Sequence, residues 1–254
     1  MTSRIGESNL NVNGHFMTIL EYRNSKDIDV YFNDYDFIKR NVCYKTFKSG
    51  EIICPYEPTV YGIGHVGEGK YKRYNKYNRV TIEYDVWKGM LRRCYDEKYS
   101  NKNLTYKYCT VCEEWHNFQN FAEWYDENYY EVKSEEMHLD KDILVKGNKI
   151  YSPETCVFVP RKINEIMKKD NYINRGKLPI GVSKYNNSGN YLARCYNENS
   201  ERINLGLYET PKNAFEAYKE FKENIIKKIA DKYEKYIPRE LYKSLYEYEV
   251  EIGD

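Results

Sequence analysis

Residues 139–169 read LDKDILVKGNKIYSPETCVFVPRKINEIMKK, and this stretch decides the fold at the centre of the chain. Two runs of β-forming residues surround a Gly147-Asn148 turn, so residues 139–159 are predicted to form two strands. Residues 160–169 are predicted to form a helix with Pro160 at its start, where proline is well tolerated. The pattern therefore predicts a hairpin that is followed at once by a helix.

Two helices are predicted upstream of the hairpin. Residues 83–95 place apolar side chains on one face at helical spacing, as do residues 113–130. Glu113 and Glu114 favour the N-terminal end of the second helix through the helix dipole. The polar residues 100–108 between the helices are predicted to form a loop.

The two ends of the chain differ in pattern. Residues 1–71 carry short β-forming runs with Gly- and Pro-rich connections and predict a small, β-barrel-like unit. Beyond a predicted linker at 172–179, three β-like runs precede a long amphipathic helix that ends near Pro238. A further short helix is expected within residues 240–252.

Charge is unevenly distributed along the 254 residues, although the net charge is only +1. Residues 67–93 hold eight Lys/Arg and three Asp/Glu, a local charge of +5. Residues 113–142 hold two Lys/Arg and ten Asp/Glu, a local charge of −8. Residues 160–194 hold eight Lys/Arg and two Asp/Glu, a local charge of +6. The stretch KYKRYNKYNR (70–79) mixes its cations with some of the 29 tyrosines. Such a mixture favours a surface that faces a phosphate backbone, although charge runs also form ordinary solvated faces.

Membrane and secreted classes are disfavoured by the sequence. No apolar run approaches the ~18 residues that a membrane span needs, and the polar N-terminus lacks the hydrophobic region of a signal peptide. The odd count of seven cysteines favours reduced thiols. Cys109 and Cys112 have metal-knuckle spacing and, with Cys94 and Cys156, would complete a four-cysteine zinc site. The alternative is that these cysteines are small buried apolar side chains.

Residues 86–159 resemble a phage-associated branch of the HNH family. The resemblance rests on VWKGMLRRCY (86–95), VCEEWHNFQNFAEWY (111–125) and the hairpin 139–159, in that order. It implies two strands and a helix around a divalent metal, with treble-clef features. It also implies hydrolysis of DNA phosphodiesters with Mg or Mn, in which a histidine activates water and the metal stabilises the phosphate charge.

The resemblance assigns site residues one by one. Asp140 matches the acidic position, Asn148 matches the loop asparagine, and Asn164 lies near the second metal-ligand position. Lys141 stands where HNH enzymes have the base histidine, and a lysine near its reference pKa of ~10.4 cannot accept a proton. His138, which shares a strand face with Asp140, is the alternative base or ligand.

Residues 179–226 resemble DNA-binding domains of the Apetala-two/ethylene-response-factor type. The resemblance rests on PIGVSKY (179–185), YLARCYN (191–197) and INLGLYETPKNAFEAY (203–218). It implies that a three-stranded sheet lies in the major groove while the helix packs behind it. The expected DNA contacts are Lys184 and Arg202 with phosphates, Arg194 with a guanine edge, and Tyr185 and Tyr196 with sugars.

Together these patterns predict an α+β, multidomain chain. The predicted parts are a β-rich unit (1–71), an HNH-like domain (80–172), a sheet-plus-helix domain (178–236) and a C-terminal tail (237–254). The leading hypothesis is a phage-type protein that binds and cuts double-stranded DNA in the cytoplasm of the infected cell. The alternatives are a catalytically inactive DNA-binding regulator and an accessory protein that binds a host defence protein through its acidic block.

Overall fold

The computed structural model describes residues 4–167, 176, 178–186 and 188–254. Its helices and short antiparallel strands confirm the predicted α+β class. Contacts divide the chain into two compact units, residues 1–127 (unit 1) and residues 128–254 (unit 2). The division falls inside the predicted domain 80–172. The predicted helix end at 168–169 and residues 172–175 and 177 of the predicted linker lie outside the described residues.

Unit 1 begins with an antiparallel meander of four strands in the order β1-β2-β3-β4. Its elements are β1 (Ser8–Leu10), β2 (Phe16–Asn24), β3 (Asp27–Phe32), β4 (Phe37–Val42) and α1 (Tyr44–Ser49). Alternate side chains of β2, including Met17 and Ile19, are buried against Phe47 of α1. Within the described residues this sheet is open, with β1 and β4 at its edges, so the expected barrel is replaced by a sheet covered on one face.

The rest of unit 1 is mainly helical. Its elements are α2 (Ile82–Tyr95), α3 (Glu97–Lys102), β5 (Thr110–Val111), a 3-10 turn (Glu113–His116) and α4 (Phe118–Asn128). The core contains Trp87, whose Nε1 donates to the carbonyl oxygen of Trp115 over 2.7 Å. The rings of Trp115 and Trp124 lie 4.7 Å apart between centroids. Aromatic side chains therefore join α2, the 3-10 turn and α4.

Unit 2 contains the predicted helix, but the strand before the Gly147-Asn148 turn pairs with a strand that starts only at Val157, and Pro160 ends that strand instead of starting the helix. Its first elements are β6 (Met137–Asp140), β7 (Ile150–Tyr151), β8 (Val157–Pro160) and α5 (Arg161–Met167). Strands β6 and β8 are antiparallel, with His138 opposite Val159 and Asp140 opposite Val157. Helix α5 starts directly after β8, which brings its side chains back over the hairpin.

A three-stranded antiparallel sheet with the order β11-β10-β9 follows in unit 2. The elements are β9 (Val182–Tyr185), β10 (Asn190–Tyr196), β11 (Arg202–Tyr208), α6 (Pro211–Tyr233) and α7 (Arg239–Tyr246). Helix α6 starts where Thr210 accepts a hydrogen bond from the Asn213 N–H, with Pro211 in the first turn.

Helix α6 belongs to two hydrophobic cores. Its N-terminal half packs Ala214, Phe215 and Tyr218 against the three-stranded sheet. Its C-terminal half, which includes Ile225 and Ile229, packs with side chains of the hairpin, α5 and α7. The two parts that the sequence assigns to separate domains therefore share one helix of 23 residues.

No helix among the described residues combines the length and the apolar character that crossing a membrane requires.

Candidate functional site

The centre of the candidate site is a contact between β6 and α5. The Asn164 Nδ2 atom lies 3.1 Å from the His138 Nδ1 atom, although the two residues are 26 positions apart. His138 is partly exposed, with 32% of its side chain accessible, and its Nε2 atom lies 3.4 Å from a carboxylate oxygen of Glu136. The contact leaves the imidazole oriented by one neighbour and still accessible to solvent.

Asp140 lies at the end of β6, on the same strand face as His138. Its Oδ1 atom accepts hydrogen bonds of 2.8 Å from the N–H groups of Asp142 and Ile143, which turn the chain out of the strand. Burial, with a further contribution from the Asp142 carboxylate, raises the pKa of Asp140 to about 6. The site therefore contains a carboxyl group whose negatively charged form is disfavoured by its surroundings.

Lys141 is buried, with 5% of the residue exposed. Its Nζ atom donates to the Asn148 carbonyl oxygen over 3.1 Å and lies 3.3 Å from an Asp142 carboxylate oxygen. The Asn148 Nδ2 atom donates in return to the carbonyl oxygens of Lys141 and Ile150, each over 2.7 Å. The polar groups of Lys141 and Asn148 therefore bond to each other's backbone and close the loop after β6. These bonds do not involve His138 or Asn164.

A set of hydrogen bonds that the sequence does not predict joins this loop to the last residues of the chain. The Lys146 Nζ atom lies 2.8 Å from both the Glu249 carbonyl oxygen and an Asp254 carboxylate oxygen. The same Asp254 oxygen accepts from the Glu251 N–H over 2.9 Å. The partners are more than 100 positions apart, so no local pattern signals the contact.

The candidate DNA-binding face consists of the strand positions that alternate with Ala193 and Cys195, which are buried against α6. Strand pairing places Arg194 beside Asn204 and Tyr196 beside Arg202 on this face. Tyr185 lies at its edge with 38% exposure. The face thus combines two guanidinium groups with two exposed phenol rings.

Two of the predicted contact residues have distinctive surroundings. The Nε atom of Arg194 is buried and has no hydrogen-bond partner among the described residues. Lys184 is opposite Tyr191, whose ring belongs to the core on the α6 side, so the register places Lys184 on that side at an exposed strand position. The outward face is therefore carried by Arg194, Tyr196, Arg202 and Tyr185.

A cavity of about 930 Å³ lies between α5 and the edge of this sheet. Its wall carries cationic side chains of α5 (Arg161 and Lys162), of the sheet (Arg194 and Arg202) and of α6 (Lys222). Glu165 also lines the cavity and accepts a hydrogen bond from Arg161 Nε over 2.8 Å. The helix that carries Asn164 and the strand that carries Arg194 therefore border one basic cavity.

The cysteines proposed as zinc ligands differ in burial. Cys109 is buried, and its thiol lies 3.7 Å from the Thr105 carbonyl oxygen, while Cys94 and Cys112 are half-buried near the Tyr95 hydroxyl. Cys156 is buried just before β8. Nowhere in the described ranges do three or more His, Cys, Asp or Glu side chains form a group that could hold a metal ion. The zinc site stays a prediction from spacing alone.

The chain matches no protein-family model, and comparison with curated proteins and with solved structures found no similar protein.

Proposed function

We propose that this chain is a DNA-binding protein resembling HNH homing endonucleases, which cuts double-stranded DNA at the face shared by β6 and α5. The observation that carries the proposal is the 3.1 Å contact between His138 and Asn164 beside Asp140, on a hairpin followed directly by a helix. This order of elements is the one that the HNH resemblance implies.

His138 takes the role of general base in this proposal. Rotation of the Asn164 amide by half a turn presents Oδ1 to the Nδ1–H group and leaves the lone pair on Nε2, the tautomer that accepts a proton from water. Glu136, 3.4 Å from Nε2, stabilises the imidazolium that forms. Lys141 does not take this role because its ammonium group donates to a carbonyl oxygen inside the loop.

The oxygen donors of the site fit a hard divalent ion such as Mg or Mn. Such ions are commonly held by one or two carboxylates, with water and substrate phosphates completing the shell. Asp140 would supply the carboxylate, while the Asn164 amide oxygen stays on the His138 Nδ1–H group. When bound, the ion would stabilise the negative charge that develops on the phosphate.

The three-stranded sheet supplies the main contact with duplex DNA in this proposal. Arg194 and Arg202 carry the positive charge of the outward face, and Tyr185 and Tyr196 present rings to the sugars. Two weak DNA contacts in one chain raise each other's effective concentration. The sheet therefore holds the DNA while the hairpin–helix face reacts.

The test is cleavage of supercoiled plasmid with Mg or Mn by wild type, His138→Ala and Asp140→Asn. Loss of the general base His138 lowers the rate by about 100-fold or more, and loss of the Asp140 carboxylate removes the ligand of the ion, so both variants are expected to leave the plasmid intact. Lys141→Arg, which keeps the buried cation, is the matched control and should cut like wild type. Cleavage that survives His138→Ala would contradict the assignment of the base.

A second candidate function is DNA binding without cleavage, as a regulator. The observation that favours it is Lys141, which occupies the base position of the HNH pattern and is buried in a loop-closing role. No cleavage by wild type, together with salt-sensitive gel shifts that Arg194→Ala and Arg202→Ala weaken, would establish this function. Retained shifts in those variants would remove the sheet as the DNA-binding face.

A further inference from the structure

A short hairpin in unit 1 presents an exposed basic and aromatic surface. Residues 73–81 (the 73–81 hairpin) fold back on themselves through an antiparallel bridge between Tyr74 and Val80. The Thr81 N–H donates to the Arg73 carbonyl oxygen over 3.0 Å. The tip is closed by Asn75, whose Oδ1 atom accepts from two backbone N–H groups of the turn. The backbone of this hairpin is therefore ordered, while its side chains from Tyr74 to Val80 stay exposed.

The approach to the hairpin is fixed to α4. The Gln119 amide exchanges hydrogen bonds of 3.1 Å with the backbone N–H and carbonyl oxygen of Tyr71. The Tyr71 hydroxyl also donates to an Asp126 carboxylate oxygen over 2.7 Å. These bonds hold the hairpin in one orientation on unit 1, which lowers the entropy cost of binding through it.

All the charged side chains of residues 70–82 are positive. Residues 70–82 contain no Asp or Glu and five cationic side chains: Lys70, Lys72, Arg73, Lys76 and Arg79. All but Arg73, which is half-buried, are exposed. Five like charges within thirteen residues favour an anionic partner with closely spaced charges, as a phosphate backbone has.

Two rings stand among these cations. Tyr77 is 70% exposed and Tyr74 is 54% exposed, beside the exposed apolar side chains of Val80 and Ile82. The Lys76 Nζ atom lies 5.0 Å from the centre of the Tyr77 ring, which steadies the ring without burying it. Exposed rings that alternate with cations are the arrangement that binds nucleic-acid strands through stacking and phosphate contacts together.

We propose that the 73–81 hairpin is a second nucleic-acid site, which binds strands with unpaired bases. Tyr74 and Tyr77 stack on the bases, and Lys72, Lys76 and Arg79 contact the phosphates. The preference for unpaired bases follows because a ring stacks on a base face only where that base has left the duplex stack. The inference deepens the proposed function, since it rests on DNA as the partner and names the strand form that unit 1 holds.

The first experiment measures binding of the full chain to a labelled single-stranded oligothymidylate by fluorescence anisotropy. Tyr74→Ala and Tyr77→Ala are each expected to weaken binding on the order of 10-fold, since each removes one stacking ring. Tyr74→Phe and Tyr77→Phe keep the rings and should bind like wild type. Unchanged circular dichroism spectra and melting temperatures establish that the variants are folded.

Tyr108→Ala is the matched control. Tyr108 is also in unit 1, is 79% exposed and has the Lys107 Nζ atom 5.2 Å from its ring centre, but it lies outside the hairpin. Its loss should leave oligothymidylate binding unchanged. Equal affinities for Tyr77→Ala, Tyr74→Ala and Tyr108→Ala would overturn the proposal.

The second experiment measures the salt dependence of the same binding for a triple variant, Lys72→Gln, Lys76→Gln and Arg79→Gln. Each lost phosphate contact on a single strand reduces the slope of log K against log salt by about 0.7, so a reduction of about 2 is expected. An unchanged slope would overturn the phosphate contacts.

Failure of this proposal and failure of the proposed function give different results. If hairpin variants bind oligothymidylate like wild type while His138→Ala abolishes cleavage, the hairpin proposal is wrong and the nuclease proposal stands. If wild type neither binds nor cuts duplex DNA but binds oligothymidylate through Tyr74 and Tyr77, the hairpin proposal stands without the nuclease.

Discussion

At the scale of single residues, Asp140 combines two demands that oppose each other. Its Oδ1 atom turns the chain after β6, which requires an acceptor, whereas its negative charge is disfavoured by burial and by Asp142. An asparagine would satisfy the first demand without the second. A carboxylate retained in such a position is expected of a site where charge is needed for chemistry.

Asp140→Asn is therefore expected to stabilise the protein while abolishing cleavage. An acid whose pKa is raised on folding binds its proton more tightly in the folded chain, so stability falls as the pH rises from about 4 to about 6. Above that window the variant should be more stable than wild type by up to about 3 kcal/mol, and below pH ~4 the difference should vanish. Urea denaturation at both pH values measures it. A variant that is less stable at neutral pH would contradict this account.

Lys141→Met tests the loop-closing role of the buried ammonium group. The substitution leaves the Asn148 carbonyl oxygen without its donor, which is expected to cost about 1–3 kcal/mol of unfolding free energy. Cleavage at a temperature well below the melting transition should stay within a few-fold of wild type. A loss of activity as large as that of His138→Ala, without a loss of stability, would return Lys141 to the catalytic residues.

At the scale of elements, the packing of the sheet on α6 depends on one glycine. Gly181 has a φ of +73° and directly precedes β9, and a Cβ atom there would overlap the Tyr218 ring of α6. Backbone conformation and close approach therefore both require glycine at this position.

Gly181→Ala is expected to destabilise the chain by more than about 2 kcal/mol, because the substitution both strains the backbone and forces the Tyr218 ring to move. Gly189→Ala is the control. Gly189 has a similar φ of +79° but open space around it, so only the backbone cost of about 1 kcal/mol is expected. Thermal melts of the two variants give the comparison. Equal shifts would show that contact with Tyr218 does not matter.

Elements with an apolar stripe could be predicted from the sequence, and elements without one could not. Helix α2 matches its prediction to within one residue because Tyr84, Trp87 and Leu91 are buried on one face. Helix α3 lies partly in the predicted loop 100–108 because none of its residues is buried, and its support comes from the Asp96 cap and from contacts such as that of Arg92 with the Tyr99 ring. The contact between His138 and Asn164 follows from the predicted order of elements, but its distance depends on tertiary packing.

At the scale of the whole molecule, the near-neutral charge conceals separate basic regions in each unit. The 73–81 hairpin belongs to unit 1, whereas the sheet face with Arg194 and Arg202 belongs to unit 2. The sequence predicts the charge blocks but not that α6 links the hairpin–helix site and the sheet. That link depends on which core each half of the helix enters, and an amphipathic stripe alone does not specify its partner.

The three tryptophans of the chain are Trp87, Trp115 and Trp124, and all of them lie in unit 1. Fluorescence excited at wavelengths that tyrosine does not absorb therefore reports the environment of unit 1 alone, while circular dichroism in the helix band also follows α6. We expect Gly181→Ala to shift the dichroism transition. If the tryptophan emission transition of the same variant shifts by the same amount, the two units unfold together; if it stays at the wild-type midpoint, unit 1 unfolds independently. Because all three tryptophans lie in unit 1, tryptophan fluorescence is an intrinsic spectroscopic probe of that unit.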